Sequence, residues 1–150
     1  MAYEIIRTDN TDQGFHELIH HLDIDLYQRY GQIMDDFNHL NKTDGLTEVV
    51  VILHDGSPVA CGAYKPYSTE SVEIKRIFVH SGHRRRGLSR RLMNELETAA
   101  KAAGYQSALL ETGEMQPEAI ALYKSCGYEI IENYPPYIGI DISICMRKNF

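Results

Sequence analysis

The stretch from Ile74 to Met93, Ile-Lys-Arg-Ile-Phe-Val-His-Ser-Gly-His-Arg-Arg-Arg-Gly-Leu-Ser-Arg-Arg-Leu-Met, constrains the fold of this chain more than any other. A β-branched apolar run gives way to a basic, glycine-containing turn that opens an amphipathic helix, so the first turn of a helix must sit beside the end of a strand. Arg84, Arg85, Arg86, Arg90 and Arg91 cluster there, although the 150 residues carry 15 Lys+Arg against 21 Asp+Glu. The local charge thus opposes the net charge of −6. The unpaired N–H groups and partial positive charge of a helix N-terminus attract anions, and Gly87 leaves the backbone approachable, so the junction predicts a phosphate site. A phosphate held at a strand end points to a nucleotide or to a cofactor built on one.

The spacing narrows the choice. Neither a P-loop ending in Gly-Lys-Ser/Thr nor a Gly-x-Gly-x-x-Gly fingerprint is present. What stands here is Arg84-x-x-Gly87-x-Ser89 after the strand end Ile77-Phe78-Val79. Downstream, Pro117 is placed for the first turn of a short helix and Gly127 for its left-handed C-terminal cap, with Ala119, Leu122, Tyr123 and Cys126 sharing one face between them. The first pattern resembles the pyrophosphate-binding motif of the GNAT superfamily of acetyl-CoA-dependent N-acetyltransferases, with Ser89 in place of a usual Gly or Ala. The second, Ala-x-x-Leu-Tyr-x-x-x-Gly-Tyr, is similar to that superfamily's second cofactor motif. The likeness continues through Leu22–Tyr30, Glu73-Ile-Lys-Arg76, Leu110-Glu-Thr-Gly113, Gln116 and Ser143–Lys148, as in a subgroup of small bacterial members.

The resemblance implies an α/β (mixed α+β) GNAT acyl-CoA N-acyltransferase fold. Its central sheet has six to seven strands, flanked by about four helices and splayed between strands 4 and 5. It further implies that backbone groups of Ile77, Phe78 and Val79 pair with the pantetheine arm of acetyl-CoA, the co-substrate, and that N–H near Phe78 faces the thioester oxygen. Backbone and side chains of Arg84, Arg85, Arg86, Gly87, Leu88, Ser89 and Arg90 would hold the phosphates, with Gln116 also at the cofactor. Tyr123 would protonate the departing thiolate, and Glu73 would help deprotonate the amine, with Glu111 a second candidate for base or substrate carboxylate. Tyr27, Tyr30, Phe37, Glu111 and the loop Tyr134-Pro-Pro-Tyr137, Tyr137 above all, are expected at the acceptor.

Read for elements, the chain predicts strands near Tyr3–Arg7, Thr47–Leu53, Ser57–Tyr64, Val72–Val79, Ser107–Glu111, Glu129–Asn133 and Ile140–Arg147. Helices are expected near Asp12–Tyr30, Gln32–Leu40, Gly87–Ala103 and after Pro117. His54-Asp-Gly56 joins two strands in a hairpin turn. Leu88, Leu92, Leu96, Ala99 and Ala103 form the apolar stripe of the Gly87 helix, while Arg90, Arg91, Asn94, Glu97 and Lys101 face outward.

With 43% hydrophobic residues and no linker or repeat, residues 1–150 suit one domain with a real core. Met1-Ala-Tyr-Glu4 lacks a basic then apolar start, and no long apolar run suits a membrane span, so a cytoplasmic protein is expected. Three scattered cysteines fit reduced thiols. Net negative charge argues against nucleic acid. A small-molecule amine is the expected partner, a homodimer is compatible with the chain, and no metal is expected.

Two other readings compete with amine acetylation. One is a domain that binds acyl-CoA as a sensor without catalysis, which release of CoA with an amine would exclude. The other starts from His16-Glu-Leu-Ile-His20, which matches the His-Glu-x-x-His of zinc hydrolases. Asp23 and Leu26 stand where an extended zinc motif has Gly and His, and a helix packing Phe15, Leu18, Ile19 and Leu22 on a sheet explains the segment more simply.

Overall fold

The structure, a computed structural model, describes residues 2–40 and 42–150, with all side chains among them except those of Asp36 and His39. Seven strands form one mixed sheet: β1 (Tyr3–Thr8), β2 (Glu48–His54), β3 (Ser57–Pro66), β4 (Ser71–Val79), β5 (Ser107–Gly113), β6 (Glu129–Ile131) and β7 (Ser143–Asn149), in the order β1-β2-β3-β4-β5-β7-β6. Neighbours are antiparallel except β4 and β5, which run parallel because α3 (Leu88–Ala102) carries the chain back between them. α1 (Gln13–Tyr30) and the short α2 (Met34–Phe37) precede β2, and α4 (Pro117–Ser125) follows β5.

Local chemistry accounts for most boundaries. Asp12 caps α1 by accepting from Phe15 N at 2.8 Å, a contact worth about 1 kcal/mol. Asp55 and Gly56 turn the β2–β3 hairpin with φ of 51° and 85°. Gly127, at φ 98°, ends α4 as the cysteine before it closes the helix: Tyr128 N reaches Tyr123 O at 3.0 Å and Gly127 N reaches Lys124 O at 3.0 Å.

The sheet is covered on both faces. On one, α3 and α4 pack over Val50, Val72, Ile74, Ala108, Leu110 and Met146. Each of the valine, leucine, isoleucine and methionine side chains among them contributes about 1.5–3 kcal/mol. On the other, Phe15, Leu18, Ile19 and Leu22 of α1 cover Val49, Val51, Cys61, Ala63 and Phe78, and farther along this face Leu109 and Cys145 lie beneath Tyr134 and Tyr137.

Several elements depart from the sequence reading. Glu97, expected on the outer face of α3, is 5% exposed, accepting from Tyr128 Oη at 3.0 Å and from Lys148 Nζ at 2.7 Å. Partners brought from α4's end and from β7 make that burial tolerable. Ala103 lies past the last turn and is exposed, whereas Ala100 is fully buried and takes its place in the stripe. The single helix expected over Gln32–Leu40 is a 3-10 turn (Gly31–Ile33), four α-helical residues and a second 3-10 turn (Asn38–Leu40). β7 begins at Ser143 rather than Ile140.

Candidate active site

β4 and β5 are paired from Ser71↔Ser107 to Ile74↔Leu110 and no farther, although both strands continue. The gap opens where β4 is bulged. Arg76 has φ 62°, and the β3–β4 register shifts between Cys61 and Ala63. Gly62 lies at this shift, and the space its Cβ would take is filled by the tip of Ile77, whose Cδ1 would stand 2.4 Å away. The bulge changes the phase of the strand. Val72 and Ile74 face α3, as do Ile77 and Val79 beyond it, so Glu73, Lys75, Arg76 and Phe78 share the α1 face.

A cavity of about 110 Å³ occupies the gap. Its wall includes Leu22, Leu26, Tyr30, Met34 and Phe37 from the α1–α2 side, and Glu73, Lys75, Arg76 and Ile77 from β4. Glu111, Gln116, Tyr123, Tyr137 and Ile142 also line it. Tyr123 belongs to the α3–α4 core, so its ring reaches the cavity from the face opposite Glu111.

The ionisable groups differ in how they are held. Glu111 accepts from Ser143 Oγ at 2.6 Å, and burial pushes its carboxyl up to about 7, against the lowering effects of that hydrogen bond and of Lys75. Glu73 is 2% exposed, with Oε2 accepting from Tyr134 Oη at 2.8 Å and Oε1 lying 3.9 Å from Lys75 Nζ and 4.0 Å from Lys65 Nζ. Lys75 donates to Leu40 O at 2.6 Å and Tyr137 Oη at 3.4 Å, and burial lowers its pKa. Tyr123 makes no side-chain hydrogen bond among the described residues; burial above all, then Cys126 and Glu111, raises its pKa, so it stays a phenol at neutral pH.

Tyr30 closes the α1 end of the cavity. A Cβ on Gly113 would fall 1.7 Å from its hydroxyl oxygen, so only glycine lets the ring lie there. Met115 N donates to that oxygen at 3.1 Å, and Gln116 Oε1 accepts from Gly113 N at 3.3 Å. Arg29 adds a bond to Met115 O at 3.2 Å and an ion pair with Glu118.

At the other end of the gap, Gly87 has φ 74°, nothing stands within 4 Å of where its Cβ would be, and no side chain caps α3. The first N–H groups of a four-turn helix are thereby open to an anion. Arg85, itself at φ 63°, and Arg91 have no ion-pair or hydrogen-bonded partner among the described side chains. The remaining arginines are tied in: Arg84 Nε to Val79 O at 3.0 Å, Arg86 to Tyr3 Oη at 2.8 Å, and Arg90 to Ser125 Oγ at 2.7 Å. An uncapped helix start beside an unpaired strand edge fits a diphosphate carrying an amide-containing arm. Phosphate would lie at Gly87–Arg90, and the arm along Ile77–Val79.

Of the residues expected at the acceptor, Tyr30, Glu111 and Tyr137 meet in the cavity, while Tyr27 is 47% exposed and does not line it. Glu73, Ile77, Gln116 and Tyr123 meet there too. Phe37, expected at the acceptor as well, lines the cavity, whereas Tyr134, of the loop expected there, donates to Glu73 instead; the roles of Arg76 and Ser143 have no local signature. Only the tetrapeptide Glu73–Arg76 flagged Arg76, and no local pattern reveals a bulge. His16 and His20 lie on the exposed side of α1, His16 bonded to Asn10 O at 2.6 Å, and no group of three metal-ligating side chains gathers among the described residues.

Comparison with known proteins agrees with this geometry. Residues 6–128 match the acetyltransferase (GNAT) family. An IAA acetyltransferase of Azospirillum brasilense is 36% identical over 126 residues, spanning 83% of this chain and 80% of the relative. A crystal structure of a Klebsiella pneumoniae protein assigned as an acyl-CoA N-acyltransferase superposes with a TM-score of 0.81 at 29% identity, covering 98% of this chain and 97% of that one. A GNAT acetyltransferase of Elizabethkingia anophelis with acetyl-CoA bound shares the fold at a TM-score of 0.68 and 18% identity, covering 99% and 98%. The chain is therefore a member of the GNAT acetyltransferase family, with acetyl-CoA as its co-substrate.

Proposed function

We propose that this protein transfers the acetyl group of acetyl-CoA to a primary amine of a small molecule, by direct attack with both substrates bound. The observation that carries the reading is the meeting of Glu111 and Tyr123 in one cavity, from opposite faces of the sheet, where β4 and β5 part. When bound, acetyl-CoA supplies an acetyl group activated as a thioester.

The chain supplies the rest. A protonated amine has no lone pair for attack, so a base must first accept its proton. Glu111 is suited to this, since a carboxylate held near 7 is half ionised at neutral pH and has one oxygen free of Ser143. Glu73, the first choice on sequence, has both oxygens engaged by Tyr134 and the lysines, and serves better to fix Tyr134 and balance Lys75. Tyr123 Oη is the proton donor for the leaving sulfur, its proton retained by the same burial that raises its pKa. Phe78 and its neighbours hold the arm through backbone, as their edge toward β5 lacks a strand partner. A non-catalytic sensor would need the Gly87 cradle but neither Glu111 nor Tyr123.

Calorimetry with acetyl-CoA and an assay of CoA thiol release across a panel of amines test the reading together. Gly87→Val, which places a β-branched residue at φ 74°, should raise the Kd about 10-fold or more while the domain remains folded. An unchanged Kd sinks the cradle; binding without thiol release for any amine returns the sensor.

A further inference from the structure

Arg76 is anomalous in three ways, none of which helps the fold. It sits at φ 62°, a conformation that costs a non-glycine residue on the order of 1–3 kcal/mol. Its side chain is 4% exposed, yet its one ion pair among the described residues is with Asp23 at 2.8 Å, whose own side chain is 54% exposed. Its Nε is buried without a hydrogen-bond partner among the described residues, where an orphaned donor costs about 1–3 kcal/mol. Arg76 also lines the cavity that holds Glu111. A buried, under-bonded guanidinium at a strained position in a cavity has one obvious complement, a ligand carboxylate, which guanidinium binds through two parallel bonds.

On the reading that Glu111 receives the proton of an acceptor amine, we infer that the acceptor is a small amino acid with an apolar side chain, its carboxylate held by Arg76 and its amine facing Glu111. Among the described residues, the charged groups lining the cavity are Glu73, Lys75, Arg76 and Glu111, two of each sign, with Asp23 behind Arg76. That balance suits a zwitterion, whereas a polyamine would meet two cations. Lys75 is the poorer anchor, because Leu40 O, Tyr137 Oη and Glu73 already surround its ammonium. Leu22, Leu26, Phe37 and Ile142 offer the rest of the ligand an apolar wall, and a cavity of about 110 Å³ limits its size. The transfer joins the amine nitrogen to the acetyl carbon as that carbon's bond to sulfur breaks. One ammonium proton passes to the Glu111 carboxylate and a second reaches the sulfur through Tyr123, giving an N-acetylamino acid and free CoA.

The test compares leucine, methionine and phenylalanine, each against its amide and its decarboxylated amine, by CoA release with acetyl-CoA as donor. In at least one series the amino acid should have the higher kcat/KM by about 10-fold or more, the range of a charge-assisted contact, even though the amide's amine is the more easily deprotonated. In Arg76→Gln, checked for folding by its thermal transition, that preference should collapse to within about threefold through a raised KM for the amino acid. Amides or amines used as well as amino acids in every series, or no turnover of any of the nine, overturns the inference, as does a preference that survives in folded Arg76→Gln. If that variant does not fold, the wild-type series decides alone. Acetyl-CoA binding, measured separately, keeps the two readings apart: retained with turnover of other amines, it leaves acetyl transfer standing.

Discussion

The two halves of the β4–β5 pair are built from the same two strands and do opposite things. In the closed half, Val72 and Ala108 are fully buried, and Ser71 and Ser107 share a buried hydroxyl hydrogen bond of 2.6 Å. The two hydroxyls there face one another, and the contacts of these four residues serve cohesion. In the open half, a few residues on, a positive φ, an orphaned guanidinium nitrogen and a carboxyl pushed up to about 7 lie around a cavity. Cohesion is given up where the gap opens, and strain concentrates where a ligand can relieve it. The contrast teaches where to expect catalytic effects without stability effects, and the reverse.

The largest kinetic effect should come from Glu111→Gln, which keeps the shape and removes the base: kcat/KM should drop about 100-fold or more, and the limb rising through pH 7 should vanish. Stability should move the other way. Because burial raises this carboxyl from 4.5 to about 7, the folded protein binds the extra proton between those values and loses stability as pH rises across them. Denaturant titrations should therefore show the variant gaining on wild type by on the order of 2–3 kcal/mol above pH 7 and by little below pH 4.5. A variant with wild-type kinetics returns the base to Glu73 or to water.

Tyr123→Phe should have the next effect, lowering kcat about 10-fold with acetyl-CoA affinity nearly unchanged, since the ring still packs against Tyr128. Full kcat with chemistry rate-limiting would make the tyrosine a core residue only. Ser71→Ala should not alter kcat at all. By leaving the Ser107 hydroxyl buried and alone, it should cost about 1–3 kcal/mol in unfolding free energy, and any kinetic change comparable to that of Tyr123→Phe would mean that the two halves are coupled.

Local grammar made much of this legible. The Asp55-Gly56 turn, the Pro117 start and Gly127 stop of α4, and the basic opening of α3 each need only neighbours in sequence, and each stands where those neighbours put it. What escaped depends on residues far along the chain. Glu97 looks like a surface residue until Tyr128 and Lys148 arrive beside it. Arg76 reads as one more alternating strand position unless the register shift at Gly62 on the next strand is known. Tyr27 and Tyr30 are alike in composition and one helical turn apart, and Gly113, more than eighty residues away, decides which of them reaches the site.

The contact between Tyr30 and Gly113 has a consequence for how such an enzyme changes its diet. It rivets one end of the first helix to the scaffold that carries Gln116 and Tyr123, so that end cannot drift without disturbing those side chains. Immediately past the rivet, residues 31–40 run as short 3-10 and α turns whose described side chains bury little besides Met34. Met34 and Phe37 nevertheless line the cavity. Substitutions there can reshape what the cavity admits while the machinery beneath it keeps its alignment, which makes this ten-residue awning the place where new acceptors would be acquired.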